Sequence, residues 1–228
     1  MLALAEQTAP AAKAAMVEAR AGRYGAAALE ALTAGEQTAA AFLKGLDFFK
    51  KGQFDQAATQ FSTAAGPRRE YFPAAFYLGA CYAAAGRDRD AAGVWQMAAS
   101  CGARPTVVYL LVADARFRAK QAASVVDVLQ PVRTRQPADD EVARRLALAY
   151  LLTGRYAEAL PLLDGYAQRH AGDQKAAFGY VLAQYAVTSK AGVPLSGAEQ
   201  AKVARLATTY KGADQPLLAR YVAVLSAK

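Results

Sequence analysis

A turn glycine recurs along this chain at a fixed interval: 34 residues separate Gly52 from Gly86, and 68, twice that, separate Gly86 from Gly154. A fixed period in this range restricts a sequence to an array of small supersecondary units. Each unit is too short to bury its own apolar face and must stack on the next. Four units then align without a gap, 38–71, 72–105, 106–139 and 140–173. Gly52 with Phe54, and Gly154 with Arg155 and Tyr156, each precede an alanine-bearing segment of helical spacing. The aligned columns are chemically coherent. Gly45, Gly79, Ala113 and Ala147 form one small-residue column, and Ala57, Ala91, Val125 and Ala159 form a second, as needed where two helices of a hairpin approach closely. Between them Phe48, Tyr82 and Tyr150 recur on the first helix, and Phe61, Trp95, Leu129 and Leu163 recur on the second, filling the layer between helices.

These columns resemble the tetratricopeptide repeat, in which a small residue, an aromatic, a turn glycine, an alanine and a second aromatic recur along a helix-turn-helix. The likeness covers residues 38 to 173. It implies an all-α, right-handed superhelical solenoid of antiparallel helix pairs. Unit three departs from the pattern: Arg116 stands at the aromatic, Lys120 at the turn glycine and Val125 at the small alanine. A local distortion is expected there. The run from Phe72 to Tyr82 also resembles the repeat segment at the C-terminal end of some bacterial von Willebrand factor A-type proteins, which implies that the chain is part of a larger protein.

Outside the array, Ala11 to Arg20 and Tyr24 to Thr33 read as a hairpin around Gly22, so that 1–37 is a degenerate repeat or a cap. The segment 174–228 reads as a C-terminal cap: a helix from Gln174 to Ser189, a loop holding Gly192 and Pro194, a helix opened by the capping box Ser196 and Glu199, and a last helix opened by Asp214 and Pro216. Terminal helices that depart from the repeat are expected of an open solenoid, whose last apolar face must be covered.

Composition removes several classes of function. The longest uncharged stretch, Tyr71 to Gly86, is shorter than a bilayer span and holds Pro73, so no membrane insertion is expected. The segment Met1 to Glu6 lacks a basic start and a long apolar run, so no signal peptide is expected either. His170 is the one histidine, which leaves a Ser/His/Asp triad or a multi-histidine metal site without its parts. No glycine-rich phosphate loop is present. Asp139, Asp140 and Glu141 cluster at a helix start, where carboxylates complement the dipole and the free N–H groups. Cys81 and Cys101 lack C-x-x-C spacing and read as idle thiols. Neither an enzyme nor a cofactor is expected. The formal charge of +8 comes from pairs such as Arg68 with Arg69, Arg87 with Arg89 and Arg133 with Arg135 at turns. Without a long basic run or interleaved aromatics, these point to a solvated surface, not to nucleic acid.

The resemblance places the first helix of each unit on a concave, partner-binding face. Steps of four and three residues keep to one face of a helix. They select Phe42, Leu46 and Phe49 in unit one; Phe76, Ala80 and Ala83 in unit two; Leu110, Asp114 and Phe117 in unit three; Arg144, Leu148 and Leu151 in unit four; and Phe178, Leu182 and Tyr185 on the following helix. Family members that grip a C-terminal carboxylate place Lys, Arg and Asn here. This chain has no asparagine, and only Arg144 of the set is basic. The expected partner is another protein or peptide that offers an apolar or amphipathic segment. Two other accounts of the face stay open: that it is ordinary core, or that it is covered by the chain's own last helix or by a second copy in a homo-oligomer. Partner and compartment are not written in the sequence.

Overall fold

The computed structural model describes residues 18, 21–26, 28, 36–66, 72–100, 106–192 and 194–226. Most of the hairpin expected between Ala11 and Thr33 lies outside them. Residues 24–26 and 28 are helical, and from residue 36 onward the described residues form eleven α-helices and no strand: α1 (Gln37–Lys50), α2 (Phe54–Ala65), α3 (Phe72–Ala84), α4 (Asp88–Ser100), α5 (Thr106–Arg118), α6 (Ala122–Arg135), α7 (Asp140–Leu152), α8 (Tyr156–Arg169), α9 (Gln174–Ala191), α10 (Gly197–Thr209) and α11 (Gln215–Ser226). The chain divides into two compact units, Met1–Ala119 and Lys120–Lys228. In the first, α1 to α5 pack each on the next. In the second, α6 to α9 do the same, and α10 and α11 close on α9 and on each other.

The repeat turns are built by one device. Gly52, Gly86 and Gly154 hold φ of +73°, +72° and +73°, the left-handed conformation that glycine adopts without a Cβ penalty. The glycine N–H bonds back to the residue three before it, Gly52 to Phe49 and Gly86 to Ala83. The next N–H reaches five back, from Gln53 to Phe48, Arg87 to Tyr82 and Arg155 to Tyr150. Together these form the Schellman motif that satisfies the last carbonyls of α1, α3 and α7. In two of the turns the residue after the glycine also caps an aromatic, Arg87 lying 4.3 Å from the Tyr82 ring centroid and Arg155 4.6 Å from that of Tyr150. At the position of the turn glycine in unit three, Lys120 takes φ +59°, a left-handed conformation although the residue is not glycine.

Packing between paired helices rests on size complementarity. A Cβ on Gly45 would come within 2.6 Å of the Phe61 ring, and one on Gly79 would collide with the Trp95 indole. Trp95 completes the fit by donating Nε1–H to the Phe76 carbonyl at 2.9 Å. In the second unit both partners change: the small residue is Ala147 and the large one Leu163, each buried. Alanines Ala57, Ala74, Ala75 and Ala91 are fully buried, so the backbones sit close wherever the small columns fall.

The C-terminal helices begin as their capping residues dictate. Asp173 accepts from the N–H groups of Lys175 and Ala176 and opens α9, while Ser196 and Glu199 form the reciprocal box at α10. Helix α9 continues past Ser189 to Ala191, because the left-handed residue that stops it is Gly192, at φ +69°.

Candidate peptide-binding faces

In the first unit the selected positions do not share one environment. Phe42 is only 2% exposed, against the expectation that it faces outward. Its ring lies 5.6 Å from Phe61 and 6.0 Å from Tyr77, so it is core. The reason is local: Gly45 admits Phe61 deep between α1 and α2, and the two rings meet. Phe49 is half-buried among Phe54, Phe61 and Tyr77, with centroids 5.5, 6.4 and 5.5 Å away, so this aromatic group largely satisfies itself. Leu46, Phe76, Ala80, Ala83, Leu110, Asp114 and Phe117 are half-buried on α1, α3 and α5. Leu46 also packs on the core around Ala28, Ala40 and Leu43. Arg116, at the missing aromatic of unit three, donates through Nη2 to the side-chain Oε1 of Gln96 on α4.

In the second unit the face is more open. Leu148 on α7 is 40% exposed and Leu152, one turn further on, is 62% exposed, while Leu146 and Ala149 of the same helix are buried. Leu152 was not among the positions selected from sequence; the step of three taken from Leu148 to Leu151, instead of four, passed over it. Leu151 is half-buried, and its Cδ1 would lie 2.8 Å from a Cβ on Gly179, so it packs against α9. Arg144 is half-buried at the N-terminal end of the same row, its Nη2 donating to Glu141 Oε2 at 3.1 Å. That hydrogen bond, followed by one from Arg145, holds the Glu141 carboxyl below the usual carboxylate range. On α9, Leu182 is half-buried. Phe178 meets Tyr210 at 5.5 Å, and Tyr185 is stacked on Tyr221 of the last helix at 4.4 Å. The far end of this face is therefore covered from within the chain.

The polar clusters are structural. Asp139 caps α7 by accepting from Val142 N–H at 3.0 Å. Asp140 receives Arg169 at 3.0 Å and lies 2.7 Å from His170 Nε2, joining the start of α7 to the end of α8. The Arg169 hydrogen bond, then that of His170, pulls the Asp140 carboxyl down to about 2. His170 also stacks on Tyr166 at 4.3 Å. Burial pushes the Cys81 thiol up to about 12, which keeps it protonated and unreactive. Among the described residues no three His, Cys, Asp or Glu side chains are placed to hold a metal ion, and no helix is long and apolar enough to cross a membrane.

No family model and no curated protein matches the chain in sequence. Solved structures do match in shape. YrrB, described as a TPR protein with an unusual peptide-binding site, is similar with a TM-score of 0.66 at 12% identity over 85% of this chain and 97% of that one. MamA is similar with a TM-score of 0.61 at 17% identity over 77% of this chain and 92% of that one. A second crystal structure of MamA is similar with a TM-score of 0.57 at 18% identity over 72% of this chain and 91% of that one. The fold is accordingly that of a tetratricopeptide-repeat solenoid. The resemblance to von Willebrand factor A-type proteins finds no counterpart among these structures.

Proposed function

We propose that this chain is a protein-interaction scaffold, not an enzyme, and that the exposed faces of its first helices bind an apolar or amphipathic peptide segment of another protein. The observation that carries the reading is the pair Leu148 and Leu152. Two large aliphatic side chains one helical turn apart stand 40% and 62% exposed on a helix whose Leu146, Ala147, Ala149 and Tyr150 are buried. Leaving such side chains in water forgoes roughly 1.5–3 kcal/mol each relative to full burial, and grouped apolar exposure of this kind marks interaction surfaces. The peptide-binding site of YrrB supports peptide binding as a use of this fold. Units 38–71, 72–105, 106–139 and 140–173 serve as the array, with 1–37 and 174–228 as its ends. The binding positions are Leu46, Phe76, Leu110, Asp114 and Phe117 in the first unit and Arg144, Leu148, Leu152 and Leu182 in the second. Phe42, Phe49, Phe178 and Tyr185 drop out because other side chains of the chain cover them.

Panning the full chain against a random peptide library tests this. Selected peptides should lose binding to Leu110→Glu or Leu148→Glu variants whose helical content is intact. Peptides that bind both variants as well as the parent would contradict the proposal.

A further inference from the structure

Resting on that reading, we infer that the α7 row Arg144, Leu148, Leu152 selects an extended peptide segment in which an acidic side chain is followed, at alternate positions on one face, by two apolar ones. The argument is one of register. The three residues are spaced i, i+4, i+8, so they recur about every 6 Å along the helix at about 1.5 Å per residue. Same-face side chains of an extended chain recur every two residues, or about every 6.6–6.8 Å. Over two steps the mismatch is about 1.5 Å, within reach of flexible Leu and Arg side chains.

The row is also narrow, with Arg145 and Leu151 beside it half-buried. Ala149 and Tyr150 are buried, and Leu151 is packed toward Gly179. A single accessible row suits the single face of a strand better than a helical ligand, which docks with a broader stripe into a groove. Chemistry along the row changes once: two aliphatic side chains, then a guanidinium. Arg144 meets Glu141 through Nη2 at 3.1 Å, and the guanidinium fork carries five N–H donors that match carboxylate geometry. The Arg144 side chain is itself 35% exposed and gives Glu141 a single Nη2 contact, so a ligand carboxylate can compete for the same guanidinium from solvent. Charge complementarity runs the same way for the whole chain, whose formal charge is +8.

The test uses the full chain and one capped probe peptide. A central aspartate is flanked on both sides by leucine at two and four residues' distance, with serine between, so that either chain direction presents the pattern. A second peptide carries asparagine in place of aspartate. By fluorescence anisotropy the aspartate peptide should bind about fivefold tighter, the order of a partly exposed ion pair. Arg144→Gln should abolish the difference while leaving the asparagine peptide's affinity in place. Leu152→Ser, at a position too exposed to threaten folding, should weaken both peptides. Equal affinity of the two peptides for the parent chain, or discrimination that survives Arg144→Gln, overturns the inference. So does failure of both probes while panned peptides of another pattern bind, an outcome that leaves the broader reading intact. If panning itself yields nothing, the broader reading falls as well.

Discussion

Trp95 occupies a space that exists because residue 79 has no side chain, and Phe61 stands in the same relation to Gly45. Gly79→Ala should therefore destabilise the protein by about 1–3 kcal/mol, the usual cost of overpacking. That is a fall in Tm of about 2–4 °C per kcal/mol in a thermal melt of a chain this size. Adding Trp95→Leu, which copies the Ala147 and Leu163 pairing of the second unit, should recover part of the loss. A double mutant no more stable than Gly79→Ala alone would show that the two positions are not coupled. Lys120 carries the opposite situation, a side chain where the backbone asks for none. Relief of about 1–2 kcal/mol of left-handed strain, offset by about 0.4–1 kcal/mol of unfolded-state entropy, predicts that Lys120→Gly raises stability by about 0.5–1 kcal/mol in urea unfolding. At this scale the small and aromatic columns were legible in the sequence because volume complementarity repeats every 34 residues. The burial of Phe42 was not, because it depends on how far one neighbouring ring penetrates, which spacing alone does not report.

Helix faces and helix ends differ in the same way. The turn glycines, the Asp139 cap and the Ser196–Glu199 box can be read from local chemistry, because their partners lie within a few residues in sequence. The junction of Asp140 with Arg169 and His170 could not, since its members are 29 and 30 residues apart. That junction has a pH signature. The Asp140 carboxyl sits at about 2 when folded against 3.8 ordinarily, so its contribution is fully present above about pH 4 and is lost as pH falls toward 2. Acid unfolding followed by circular dichroism should show Asp140→Asn with a flatter stability profile between about pH 4 and about pH 2 than the parent chain. Equal slopes would mean that the junction contributes nothing to folding. The end of the array follows the same logic: α11 lays Tyr221 on Tyr185, and an expected groove position becomes covered because a terminal helix must shield the last repeat.

For the molecule as a whole, arginines such as Arg87, Arg118 and Arg155 are each paired with a carboxylate, Asp90, Asp88 and Glu158, and so do not add to a basic track. Peptide affinity should consequently fall by less than about tenfold between ~50 and ~200 mM salt, where roughly 6–10 phosphate contacts would lose about 10³–10⁵. Fold class was open to sequence reasoning because a fixed period restricts the chain to stacked helical hairpins. The division between accessible and covered first-helix positions needed the structure, because it is decided by neighbours from other repeats and from α11. Hydrogen–deuterium exchange of the full chain, with and without a panned peptide, tests the binding face most directly. The account predicts new protection confined to the first helices, α7 and α9 in the second unit and α1, α3 and α5 in the first, with α4, α6 and α8 unchanged. Protection concentrated on α4, α6, α8 or the arginine-bearing turns would contradict it.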